Sequence, residues 1–166
     1  MFDAEYILTS HEPLVKFVES LILKLMNKEN FNYFDFFMSF DMAALENIIN
    51  ILKLLTGKIY GTDYDNIVKS GNTQNKNVQK ILVETGITQI LIEIISLLYE
   101  PYKEIIEHPE PSDDRPIRLK MMEIFEISYN LIGNVATGYE LNRIYISRWI
   151  DLFLEHSNNI NKSFIQ

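Results

Sequence analysis

The chain has no cysteine. Disulfides, thiolate metal sites and cysteine nucleophiles are therefore excluded, and a reducing compartment fits. Glycine and proline are sparse, six and five in 166 residues. They punctuate periodic segments and build no phosphate-cradling loop: Gly57 and Gly61 lack the Lys-Ser/Thr that completes one. The three histidines, His11, His108 and His156, are scattered and read as surface residues, so a catalytic triad has no basis. Long apolar runs are absent. The longest, Ile90 to Leu98, is interrupted by Glu93 and falls far short of the roughly 18 residues of a membrane span. Positive charge is scarce as well: 15 basic against 23 acidic residues leave a net charge of −8. That balance repels nucleic-acid backbones and anionic membranes. The start, Met1 to Glu5, lacks the basic segment of a secretory signal, so a soluble, cytosolic protein is expected.

What is present is helical grease. Hydrophobic residues make up 47%, too many for a disordered chain, and the length suits about one domain. Leu14, Phe17, Val18, Leu21 and Leu25 recur at helical spacing after Ser10, which reads as an N-cap. Phe31 to Phe40 is rich in aromatics and reads as a short helix or packed connection that caps the first helix pair, or as a patch for a neighbouring domain. Asp41 reads as the next N-cap, with Leu45, Ile48, Ile49, Leu52 and Leu55 inward and Gly57 as the stop. A polar stretch over Lys58 to Asn75 precedes a helix bearing Val78, Ile81 and Leu82, which Gly86 stops. The next helix, from Ile87, is expected to break at Pro101. Pro109 to Pro116 reads as an acidic surface loop, and Pro116 opens a long helix to Val135 that is apolar on more than one side, hence central. Two shorter helices follow over Tyr139 to Ser147 and Trp149 to Glu155. The organisation is one helical domain over 1–157 and a fraying polar tail over 158–166.

The corner Thr85-Gly86-Ile87 followed by an apolar helix is echoed by Gly133 to Gly138, a short helix, and Trp149 to Leu154. Recurrence of helix groups over roughly 40–47 residues points to an all-α, armadillo-like superhelical array. Leu54-Leu55-Thr56-Gly57, a polar gap, Asn75 to Glu84, and an isoleucine-rich helix ending Leu97-Leu98-Tyr99-Glu100-Pro101-Tyr102 resemble the RIH domain shared by inositol trisphosphate receptors and ryanodine receptors. Asn134 to Ile146 resembles a later segment of the same family, and the likeness spans about Asp41 to Glu155. It implies an interaction module of a large, tetrameric calcium-release channel. Such a module lies on the cytosolic side of the endoplasmic reticulum, packs against neighbouring domains or subunits and relays conformational change between them.

In the ligand-binding member of that family, basic residues hold the phosphates of inositol trisphosphate. By resemblance Lys76, Lys80 and Tyr139 stand at matching positions, whereas Val83, Glu140 and Leu141 replace the other donors. Polyphosphate recognition needs convergent Arg and Lys. The departures therefore favour a domain that binds no such ligand, and a solvated face is the plainer reading of the two lysines. An inositol phosphate half-site and an armadillo scaffold unrelated to channels are the alternatives. No enzyme activity, cofactor or metal is expected. Asp63 and Asp65 begin a calcium-loop spacing that Ile67 ends, Glu107, Glu110, Asp113 and Asp114 read as solvated, and Glu93, Glu123 and Glu126 as outward or paired.

Overall fold

The computed structural model describes residues 3–26, 29–67 and 73–165. In order these are α1 (Asp3–Met26), α2 (Tyr33–Met38), α3 (Met42–Tyr60), a 3-10 turn (Tyr64–Asn66), α4 (Lys76–Glu84), α5 (Ile87–Glu107), α6 (Arg115–Ala136), α7 (Glu140–Ile146), a second 3-10 turn (Ser147–Trp149) and α8 (Ile150–Ile165). Every element is helical, so the fold is all-α.

The organising member is α6. Ile117, Met121, Ile124, Leu131 and Val135 are buried along it, and so are Phe125, Ile127 and Ile132. A helix with that much apolar girth must be covered from more than one side. It packs most extensively against α3 and α5; α5 also packs against α1, and α1 returns to α3, so these helices close a ring. Short α4 touches every member of the ring, while α7 packs on α6 and α8 on α5. Ion pairs staple the α3–α6 surface, Lys120 Nζ to Glu46 Oε2 at 2.5 Å and Lys53 Nζ to Glu123 Oε1 at 3.4 Å.

Caps set several boundaries. Asp41 opens α3, as expected, by accepting from the Ala44 amide, and Asn75, at the expected start of its helix, opens α4 by accepting from those of Asn77 and Val78. Asn32, which the sequence pattern does not single out, opens α2 by accepting from the Asp35 amide. Three boundaries differ. α1 begins at Asp3, not Ser10, because Ile7 is already fully buried and Ser10 lies inside the helix. α5 runs through Pro101 to Glu107: the proline forfeits a hydrogen bond to the Leu97 carbonyl, but Tyr99, Tyr102 and Ile105 are buried on both sides of it and hold the helix together. α3 passes Gly57 and stops at Gly61, whose φ of 66° is the left-handed stop. Gly57 serves close approach instead. The chain doubles back so that the Thr62 amide donates to Gly57 O at 3.1 Å, and a Cβ on Gly57 would stand 2.4 Å from Thr62 O. The segment read as a fraying tail is occupied by α8 as far as Ile165.

Gly57 and Gly133 therefore make a matched test. Gly57→Ala is expected to cost about 1–3 kcal/mol, since backbone must move. Gly133→Ala, with nothing within 4 Å of the new Cβ in the interior of α6, is expected to gain about 0.5–1 kcal/mol. Urea denaturation of the two variants measures both.

Candidate functional site

The residues singled out by the sequence lie around the corner where α6 turns into α7 beside α4. Lys76 is the first residue of α4 and Lys80 lies one turn on; both are exposed. Lys80 Nζ sits 3.7 Å from Glu84 Oε1, a solvated intrahelical pair. Tyr139 is half-buried at the N-cap position of α7, with no side-chain capping bond, and next to it the exposed Glu140 and Arg143 pair with each other.

What joins α4 to this corner is Gln79. Its side chain is fully buried, and its amide donates to Asn134 O at 2.9 Å and to Thr137 O at 2.7 Å. Asn142, on α7, reciprocates: its amide donates to Gln79 O at 3.0 Å and to Val135 O at 2.9 Å. The last carbonyls of a helix have no intrahelical donors and are costly to bury unpaired. Two carboxamides thus supply donors for the end of α6, and one of them ties in the backbone of α4. The rim continues outward, with Tyr60 Oη donating to Asn134 Oδ1 at 2.5 Å and Gln74 Nε2 donating to Tyr60 Oη at 3.3 Å. The sequence carried a faint signal: Gln79 is a polar residue on the inward face that Val78 and Leu82 define.

A second cluster corrects the reading of His156 as a surface residue. Its ring is buried, stacks on Tyr99 of α5 at 3.9 Å between centroids, and shares a hydrogen bond between Nδ1 and the Tyr129 hydroxyl of α6. Phe125 and Phe153 also pack their rings into this cluster. The imidazole thereby fastens α8 to both core helices. Burial holds its pKa below the ordinary value, against the raising influence of Glu155, and pushes the Tyr129 hydroxyl up. Nearby, Tyr102 donates to Glu126 Oε1 at 3.1 Å, and its own pKa is pushed up to about 12 by burial and that carboxylate.

The acidic loop needs a correction too. Asp114 is not solvated: it is fully buried at the N-cap of α6, accepts from the Ser112 hydroxyl, and lies 2.9 Å from Arg118 Nε, an ion pair without hydrogen-bond alignment. The Arg118 guanidinium covers the Phe37 ring at 4.7 Å. That contact locks the aromatic helix α2, where Phe36 and Phe37 are buried and, of its apolar side chains, only Phe34 and Met38 are exposed, so the stretch is chiefly a cap over the core. Glu123 and Glu126 are paired, as expected, and Glu93 is exposed.

Among the described residues no group of His, Asp or Glu could hold a metal, and no single helix is long and apolar enough to cross a membrane. Compared with protein-family models, with curated proteins and with solved structures, the chain matches none.

Because the folded state favours neutral His156, its contribution to stability is fully present above the free imidazole value of 6.5 and is lost as pH falls through the lowered folded value. Urea unfolding at a series of pH values below 7 is expected to show stability declining with acid. His156→Phe is expected to flatten that part of the slope.

Proposed function

We propose that this chain is an armadillo-like packing module that works by contact with neighbouring domains. Its setting is a large calcium-release channel of the inositol trisphosphate or ryanodine receptor kind, on the cytosolic side of the endoplasmic reticulum. The observation that carries the module reading is the distribution of exposed apolar side chains. Leu8, Ile22, Leu23 and Met26 stand out from α1, and Leu141, Ile144, Ile150 and Leu154 from α7 and α8; between them α2, α3 and α6 expose Phe34, Met38, Met42, Leu54 and Leu119, and α4 and α5 expose no large hydrophobic residue. Grease denser at the first and last helices than on those between is what uncapped ends of a stacked array present. A second feature favours the array. The short α4 followed by long α5 is matched by short α7 followed by long α8, and α8 packs on α5.

In this reading the module moves as a rigid body and passes strain between its ends, because a closed, well-packed core shifts as a unit. The channel setting comes from the sequence resemblance alone. Lys76, Lys80 and Tyr139 are no part of this proposal, since Gln79, and neither lysine, bridges α4 to the corner.

The experiment is hydrogen exchange on the full-length polypeptide that carries this chain, with calcium or inositol trisphosphate added. Amides of α1, α7 and α8 are expected to change protection while those of α5 do not. Unchanged exchange at both ends would contradict the relay.

A further inference from the structure

One face of the ring is left open. Val18 and Ile22 of α1, Ile92 and Leu97 of α5, and Trp149 of the second 3-10 turn enclose an apolar groove of about 370 Å³. Its floor is core: Val18 and Ile92 are nearly inaccessible, while Ile22 at the rim is 37% exposed. Along α5 the groove follows Gln89, Glu93 and Ser96, which are successive positions of one helical face. At 1.5 Å per residue this edge is roughly 12 Å long, the footprint of about two helical turns of a partner. Ser96 turns its hydroxyl inward, donating to Ile92 O at 2.8 Å, so it asks nothing of an occupant.

Glu93 is the one charged side chain lining the groove, and among the described residues it has neither an ion-pair nor a hydrogen-bond partner. Arg148, beside Trp149 in sequence, is engaged elsewhere, with its guanidinium 5.2 Å from the Tyr145 ring. An acid at the lip of an apolar trough, on a chain with net charge −8, selects for positive charge in whatever covers it. A helix laid in a groove is read through anchors at i, i+3, i+4 and i+7.

We infer that this groove docks an amphipathic helix that presents aliphatic side chains to Ile22, Leu97 and Trp149 and a lysine or arginine to Glu93. The inference deepens the module reading by naming a class of partner. Its test reads only this groove, so its failure would leave the hydrogen-exchange test of the relay untouched.

Trp149 is the chain's one tryptophan and reports directly from the wall of the groove. The probes are two synthetic peptides of about 18 residues, long enough to hold a helix, with leucine on one face and either lysine or glutamate on the other. The lysine peptide is expected to shift Trp149 emission to the blue with saturation, and the glutamate peptide to leave it unmoved. Glu93→Gln should weaken the lysine peptide about tenfold, the loss of one partly buried charge pair. Glu93→Lys should exchange the two preferences. Because Glu93 is exposed, both variants are expected to keep the parent's circular dichroism. Several results would overturn the inference: no Trp149 shift with either peptide, equal shifts with both, or insensitivity to Glu93→Lys. A blue shift on concentrating the protein alone would overturn it as well, by assigning the groove to a second copy of the chain.

Discussion

Two buried carboxamides hold the fold's turning point. The end of α6 leaves the carbonyls of Asn134, Val135 and Thr137 in a place where water cannot reach all of them. Gln79 and Asn142 answer them from α4 and α7. Since α6 is the helix that α3 and α5 both pack against, where it stops and which way the chain leaves determine where α7 and α8 can lie. An apolar core fixes how much surface is buried but tolerates sliding. Directional bonds to named carbonyls remove that freedom. The polar corner is therefore what converts a greasy ring of helices into one arrangement with a defined exit.

From that corner the rest follows in sequence. α7 begins at once, the 3-10 turn brings Trp149 beside α5, and α8 is fastened by His156 between Tyr99 and Tyr129. At the opposite end of α6 a different device operates: Asp114 and Arg118 form a buried pair whose guanidinium also covers Phe37, so the same ionic contact begins α6 and seats the aromatic cap. A buried ion pair adds little net stability, because desolvation cancels much of its attraction. Its value here lies in placement, since removing either partner would strand the other.

The helical layout was legible because apolar periodicity and caps act locally. Asp41 and Asn75 cap where the pattern puts them, and Gly86 separates α4 from α5. The central role of α6 was legible for the same reason, as apolar girth is written in its own residues. The misreadings share one cause: tertiary contact overrode a local signal. Ser10 resembles a cap until Ile7 is found in the core, Pro101 resembles a stop until Tyr102 and Ile105 bury beyond it, and Gly57 resembles an end until Thr62 folds back onto it. His156 and Asp114 look solvated in a polar context, and only the packing of distant helices shows them to be buried. The role of Gln79 was barely legible for a related reason. Its place on an inward face marks it as polar and buried, but its partners lie more than fifty residues away, so the chain nearby does not say which carbonyls wait there.

The corner acts as one unit, and a double-mutant cycle on Gln79→Ala and Asn142→Ala measures that directly by urea denaturation. Each single change strands carbonyls that the other amide cannot reach alone. The two side chains also share the backbone of α4 through Gln79 O. The expected result is a coupling energy of about 0.5–3 kcal/mol between the two sites, as for residues in one hydrogen-bond network. Strictly additive losses, or single variants within about 0.5 kcal/mol of the parent, would show instead that the core positions α7 and α8 without the corner.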